Sequence, residues 1–206
     1  LGFSRVELIA AVEEAQNTGT YVSAHVYTDE AILRAVECGV HSLEHCNLIT
    51  AETARLAAEK GCIACPTLIT YDKLKSEGAS MGLPAASIVK VDDVRLRGME
   101  SLSIMQDAGL KMAYGSDLLG GMQPHQSGEF ELRGRVLSSQ TVIQSATLIA
   151  AKLLRMEGQI GTPMPGAFAD TIILDRDPLM DLSALSGQGE SINTIVKGGE
   201  IIKHNP

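Results

Sequence analysis

The sequence predicts an α/β protein built on parallel strands. Three observations predict it. Short β-forming runs alternate with helix-period segments, and short turns containing Gly join them. Three of the runs also stop at a side chain of metal-ligand type: Tyr21–Ala24 at His25, Val40–Glu44 at His45, and Leu110–Ser116 at Asp117. In a parallel barrel, that end of the strands is where active sites are built.

Taken in order, Val6–Asn17 reads as a helix. Leu8, Ala11, Val12 and Ala15 recur at helical spacing, Gly19 lies beyond the end, and Ser4 with Glu7 has the form of a capping box. Tyr21–His25 is a short strand. Thr28 or Asp29 can cap a helix over Glu30–Cys38 that stops at Gly39. Val40–His45 is the next strand. Thr50 opens a helix to Lys60, and Cys62–Pro66 is a third strand. Thr67–Ala86, with Gly78, Gly82 and Pro84, reads as a long loop of the kind that often serves as a lid. A helix over Ser87–Ala108 then leads to the strand Leu110–Ser116. Beyond a loop holding His125, helices are expected over Glu129–Val136 and Gln140–Met156. Gly161, Pro163, Pro165 and Gly166 mark a linker. The tail is mostly β: a strand over Ala169–Asp175, then a hairpin of Ile192–Val196 and Glu200–Lys203 about Lys197-Gly198-Gly199. It is too small to fold alone.

Composition narrows the function classes. The 206 residues are 45% hydrophobic, enough for a sizeable core, but only 3% aromatic, so that core rests on Ala, Ile, Leu, Val and Met. A net charge of −8, from 25 acids against 17 bases, argues against nucleic acid or an anionic membrane as partner. No apolar run is long enough for a membrane span, and no signal peptide is visible. The chain opens on Leu1 almost directly into a helical pattern, so a missing N-terminal stretch is expected. Cys38, Cys46, Cys62 and Cys65 do not form a disulfide framework, and a reducing, cytoplasmic setting is the default. Cys62-Ile-Ala-Cys65 lies in an apolar strand, not at a helix N-terminus, and reads as buried structural thiols. A homo-oligomer is compatible with the sequence.

A single His is more often a satisfied core or loop residue than a ligand; ligand-type residues at three strand ends reverse the balance toward a metal site. Zinc accepts imidazole nitrogen and carboxylate oxygen, and a carboxylate beside a metal-held water can handle its proton. Tyr27, two residues past His25, shares its face. Its phenol can bond a substrate carboxylate or pack under the loop. Tyr71 has the same two readings, and His125 can line the pocket or sit in solvent. His41 reads as structural, and Glu44 is expected to point away from the site and pair with a neighbour.

His25-Val-Tyr-Thr, Ser42-Leu-Glu-His45-Cys-Asn, Gly115-Ser-Asp117 and Gly166-Ala-Phe-Ala-Asp170-Thr-Ile-Ile-Leu-Asp175, in this order, resemble the amidohydrolase superfamily. Thr67-Leu-Ile-Thr-Tyr71 and Pro124-His-Gln-Ser-Gly-Glu-Phe130 look like its Xaa-Pro dipeptidase (prolidase-like) and imidazolonepropionase-related branch. The resemblance implies the C-terminal half of a (β/α)8 TIM-type barrel over residues 1–157. Residues 158–206 would add strands to a small β-sandwich. It implies that His25 and His45 end the fifth and sixth barrel strands and bind the second of two metals. Asp117 would end the eighth strand, ligate the first metal and act as general base and acid. One or two divalent ions are implied, with zinc the expected metal. The superfamily's His-x-His pair and carboxylated Lys cannot be placed here, so the stretch by itself is expected to be inactive. Related deaminases carry Glu three residues after the fifth-strand His, where this chain has Thr28; deamination is disfavoured. The expected reaction is hydrolysis of the amide bond of a dipeptide or N-acyl amino acid by metal-activated hydroxide. Opening of a cyclic amide and a non-catalytic role are the alternatives.

Overall fold

A computed structural model describes residues 1–205, which divide into two compact units, 1–113 and 114–205. The first carries a parallel sheet of β1 (Ser23–Thr28), β2 (Ser42–Leu48), β3 (Ile63–Cys65) and β4 (Lys111–Met112), in that spatial order. The helices of this unit are α1 (Arg5–Asn17), α2 (Asp29–Glu37), α3 (Ala51–Glu59), α4 (Leu68–Glu77) and α5 (Ala85–Asp107). Neighbours in sequence are neighbours in the sheet, as short right-handed βαβ crossovers favour.

The helix starts follow from local chemistry. Ser4 and Glu7 form a reciprocal capping box on α1. Thr28 and Thr50 each accept a backbone N–H, from Ala31 and Thr53, at the starts of α2 and α3. The Asp29 carboxylate accepts from the Thr50 N–H at 2.8 Å and ties the two helix starts together. At the other ends, Gly39 and Gly61 take φ of +90° and +74°, and the chain turns directly into the next strand.

The register sorts the strand residues into rows. Ala24, Leu43, Ala64 and Met112 are aligned and form one small apolar row. Leu43 and Ala64 are fully buried and join Ile32, Ala35, Val36, Ala54, Ala57, Leu102 and Met105 in the core of this unit. The alternate rows, Ser23–Ser42–Ile63–Lys111 and His25–Glu44–Cys65, occupy the other face.

Two sequence expectations change here. The stretch after Thr67 is not one long loop: α4 occupies Leu68–Glu77. Its first turn (Leu68, Ile69, Thr70, Tyr71) is buried, and α4 packs along α5 with Lys75 Nζ 2.7 Å from Asp92. Tertiary burial overrides the weak propensity of Ile, Thr and Tyr. The breakers act after the helix, with Gly78 at its C-cap and Pro84 at the N-cap of α5. Glu44, expected to point away from the site, stands in register with His25. Its Oε1 accepts from Ser23 Oγ at 2.7 Å and Ser42 Oγ at 2.5 Å, so its pairing with neighbours is as expected.

α5 crosses β2 closely because residue 98 is Gly. A Cβ there would lie 2.6 Å from Asn47 Nδ2 and 2.7 Å from Leu68 Cδ2. Asn47 is buried and its Nδ2 donates to the Val94 carbonyl at 3.3 Å. Gly98→Ala is therefore expected to destabilise the protein by about 1–3 kcal/mol through overpacking, despite the better helix propensity of Ala. Urea denaturation of the full-length variant checks this.

The second unit holds α6 (Gly128–Gly134), α7 (Ser139–Ala146) and α8 (Leu148–Leu153), then an antiparallel sheet of β5 (Thr171–Leu174), β6 (Ile192–Lys197) and β7 (Glu200–His204), in the order β5-β6-β7. The β6–β7 hairpin turns at Gly198-Gly199, where expected, and Asp170 Oδ1 accepts from the Gly198 N–H at 2.7 Å. The single helix expected over Gln140–Met156 is broken at Thr147 (φ −120°, ψ −90°). The Thr147 hydroxyl donates back to the Ile143 carbonyl at 2.8 Å, a bond that competes with the helix ladder. Among the described residues, no helix is long and apolar enough to cross a membrane.

Candidate active site

The site in the first unit is assembled on β1 and β2. His25 lies mid-strand on β1, on the row that also carries Tyr27 by strand alternation. His45 should not share that face: it stands in register with Val26, on the apolar side. The backbone changes this. His45 and Cys46 adopt φ of +76° and +55°, and the β1–β2 register breaks between Val26 and Thr28. Non-glycine residues rarely take this conformation, and bulges of this kind re-aim side chains beside functional sites. The result is that His45 Nε2 comes to 2.6 Å from His25 Nδ1.

The His45 ring is held on several sides. Tyr27 stacks on its face, with centroids 4.5 Å apart and planes 7° apart. Tyr71 meets it edge-on at 6.3 Å. Thr67 Oγ1 lies 2.7 Å from Nδ1. His45 is 1% exposed and Tyr71 6%, whereas Tyr27 is 40% exposed and presents its outer side to solvent. His41 packs edge-on against Tyr21 at 5.0 Å, in keeping with a structural role.

The thiols take no part in this arrangement as nucleophiles. All four cysteines are buried. Burial pushes the Cys46 thiol far above its ordinary range, with Glu44 adding to the shift, and burial likewise raises Cys62.

Asp117 belongs to the second unit. The strand expected over Leu110–Ser116 is only Lys111–Met112, so Asp117 does not end it: Asp117 follows in an irregular segment and takes φ of +48°. Earlier in the same segment, the Tyr114 backbone N–H donates to the Ser145 carbonyl at 3.0 Å. The Tyr114 hydroxyl donates to the Gln126 carbonyl at 2.8 Å, and its ring stacks on Phe130 at 4.3 Å. Burial pushes the Tyr114 hydroxyl up, so it stays a donor. Arg133 places its guanidinium 5.2 Å from the Tyr114 ring centre. Arg133 Nε also donates to Glu129 Oε1 at 2.7 Å, and both side chains are fully buried. The Arg133–Glu129 pair, Ser145 and Thr67 were not among the candidate site residues. His125 is half-buried at the end of a 3-10 turn, Gly120–His125.

Two imidazole nitrogens facing one another, with a hydroxyl on the far nitrogen of one ring, form a donor set suited to a divalent cation. Among the described residues, no group of three or more His, Cys, Asp or Glu side chains gathers as a metal cage.

A parallel sheet with interleaved helices, its strands in chain order, defines the class of (β/α)8 barrel proteins, here as a half-barrel. The chain belongs to the amidohydrolase family, which matches residues 1–201. It is similar to an amidohydrolase of known crystal structure, with 49% identity and a TM-score of 0.97 over all of this chain and 50% of that one. It is also similar to a prolidase crystallised with N-methylphosphonate-L-proline, with 44% identity and a TM-score of 0.95 over 98% of this chain and 50% of that one. Aspergillus niger ochratoxinase is 27% identical over 202 residues, 98% of this chain and 42% of its own. The chain thus spans half or less of the length of these relatives.

Proposed function

We propose that this chain supplies the second half of the active site of a metal-dependent amidohydrolase that cleaves the amide bond of a dipeptide or N-acyl amino acid. The observation that carries the reading is the 2.6 Å approach of His25 Nδ1 and His45 Nε2, achieved through a backbone conformation that non-glycine residues avoid. The similarity to a prolidase supports a dipeptide substrate, with an imino nitrogen as leaving group.

His25 and His45 would hold one divalent ion, zinc being suited to imidazole donors. Asp117 would be the carboxylate ligand of a second ion. Such an ion supplies a polarised carbonyl and a more acidic water. The residues of this chain do the rest. Asp117 takes the proton from the attacking water and returns it to the departing nitrogen. Tyr27, stacked on the His45 ring and partly exposed, donates its phenolic hydrogen to the substrate carboxylate and fixes which bond is presented. Tyr71 and His125 are further candidates for holding the substrate. In this reading residues 1–157 are barrel and 158–206 are strands of the β-sandwich.

Xaa-Pro and N-acyl amino acid libraries offered to the full-length, metal-loaded protein test this reading. Release of the free amino acid supports it; no turnover of any member overturns it. His25→Ala in the same protein is expected to remove about one metal ion per chain, read by elemental analysis. An unchanged metal content would take His25 out of the ligand set.

A further inference from the structure

We propose that Thr67 is a positioning residue for His45: its hydroxyl accepts the Nδ1–H of the imidazole and so leaves Nε2 with its lone pair directed at the His25 side. This rests on the reading of His45 as a metal ligand given above. A neutral imidazole carries hydrogen on one nitrogen and a lone pair on the other, and the contact made by one nitrogen fixes the state of the other. His45 meets the Thr67 hydroxyl at Nδ1, at 2.7 Å, and His25 at Nε2, at 2.6 Å. Only the Nδ1–H form leaves Nε2 able to accept from His25 or to bind a cation.

The position of Thr67 in the chain separates this from an incidental contact. Ser4, Thr28 and Thr50 occupy the N-cap positions of α1, α2 and α3, and each gives its hydroxyl to the helix backbone. Their backbones share the extended conformation that capping needs, with ψ between 149° and 164°. Thr67 occupies the same position at α4, yet its side chain makes no cap hydrogen bond, and its backbone departs to φ −127°, ψ 64°. The hydroxyl that would cap α4 is turned to His45 instead. Both groups are buried, Thr67 at 4% exposure, so water does not compete for the contact. Tyr27 on the ring face and Tyr71 at its edge limit rotation of the imidazole, so the hydroxyl meets a ring already held in place.

The test uses full-length protein labelled with 15N-histidine and stripped of metal. Long-range 1H–15N correlation reads the tautomer of each His, and His45→Gln identifies the resonances of His45. The wild type is expected to show His45 as the Nδ1–H form. Thr67→Val should convert it to the Nε2–H form or to a mixture, and Thr67→Ser should restore the wild-type pattern. In a parallel Zn2+ titration, Thr67→Val should weaken binding about 10–100-fold, with Thr67→Ser much closer to wild type. An Nε2–H form in the wild type overturns the proposal. So does a Thr67→Val protein with unchanged tautomer and unchanged affinity. If Thr67→Val does not fold, the wild-type tautomer and Thr67→Ser still decide. A wild type that binds no metal sinks the ligand reading of His45, and the tautomer result stands apart from it.

Discussion

Asp117→Asn in the full-length protein is expected to lower kcat for amide hydrolysis by at least about 100-fold, with little change in KM. Asn has the shape of Asp but cannot take up a proton. It also tolerates the left-handed backbone that residue 117 adopts at φ +48°. Asp117→Ala would be a poorer experiment, since Ala pays for that conformation and the loss of activity would mix strain with chemistry. Steady-state kinetics with circular dichroism and metal content measured alongside check the prediction. A kcat close to wild type would show that another group handles the proton.

The largest stability effect is expected at Glu129 and Arg133. Both side chains are fully buried and joined at 2.7 Å, and Arg133 also lies over the Tyr114 ring. Removing either partner leaves a charge in the interior without its counter-ion, which typically costs about 3–5 kcal/mol. Glu129→Ala and Arg133→Ala should each show a loss of that order in urea denaturation. The double variant Glu129→Leu/Arg133→Met removes both charges and keeps the volume. It should recover much of the loss. If the double variant is as unstable as the sum of the singles, the pair is not coupled and packing around Tyr114 dominates.

The parts legible in the sequence are those set by local chemistry. Ser4 with Glu7, Thr28 and Thr50 announce helix starts, and the structure has helices there. The alternation of strand and helix announces a parallel sheet, and the four strands are parallel and in chain order. The amidohydrolase resemblance carried by the motifs around His25, His45 and Asp117 agrees with the family match. What was not legible depends on tertiary partners. Gly78, Gly82 and Pro84 make 67–86 look like a loop because the burial of Leu68 to Tyr71 against the rest of the unit has no local signature. Glu129 and Arg133 can be read as an i,i+4 pair on a helix, but nothing in their spacing says that the pair is interior. His45 and Cys46 are neither Gly nor Asn, so the break in strand alternation at β2 leaves no trace in residue type. Thr67 reads as the first residue of the loop expected over 67–86, and its place at the start of α4 and its contact with His45 exist only in the folded unit.

The kink at His45–Cys46 bears on any attempt to transplant this pair of histidines. Two imidazoles placed on adjacent strands of a regular designed sheet at the same register would face opposite sides and never meet. A designer would have to copy the irregular backbone along with the side chains, and find a scaffold stable enough to tolerate it.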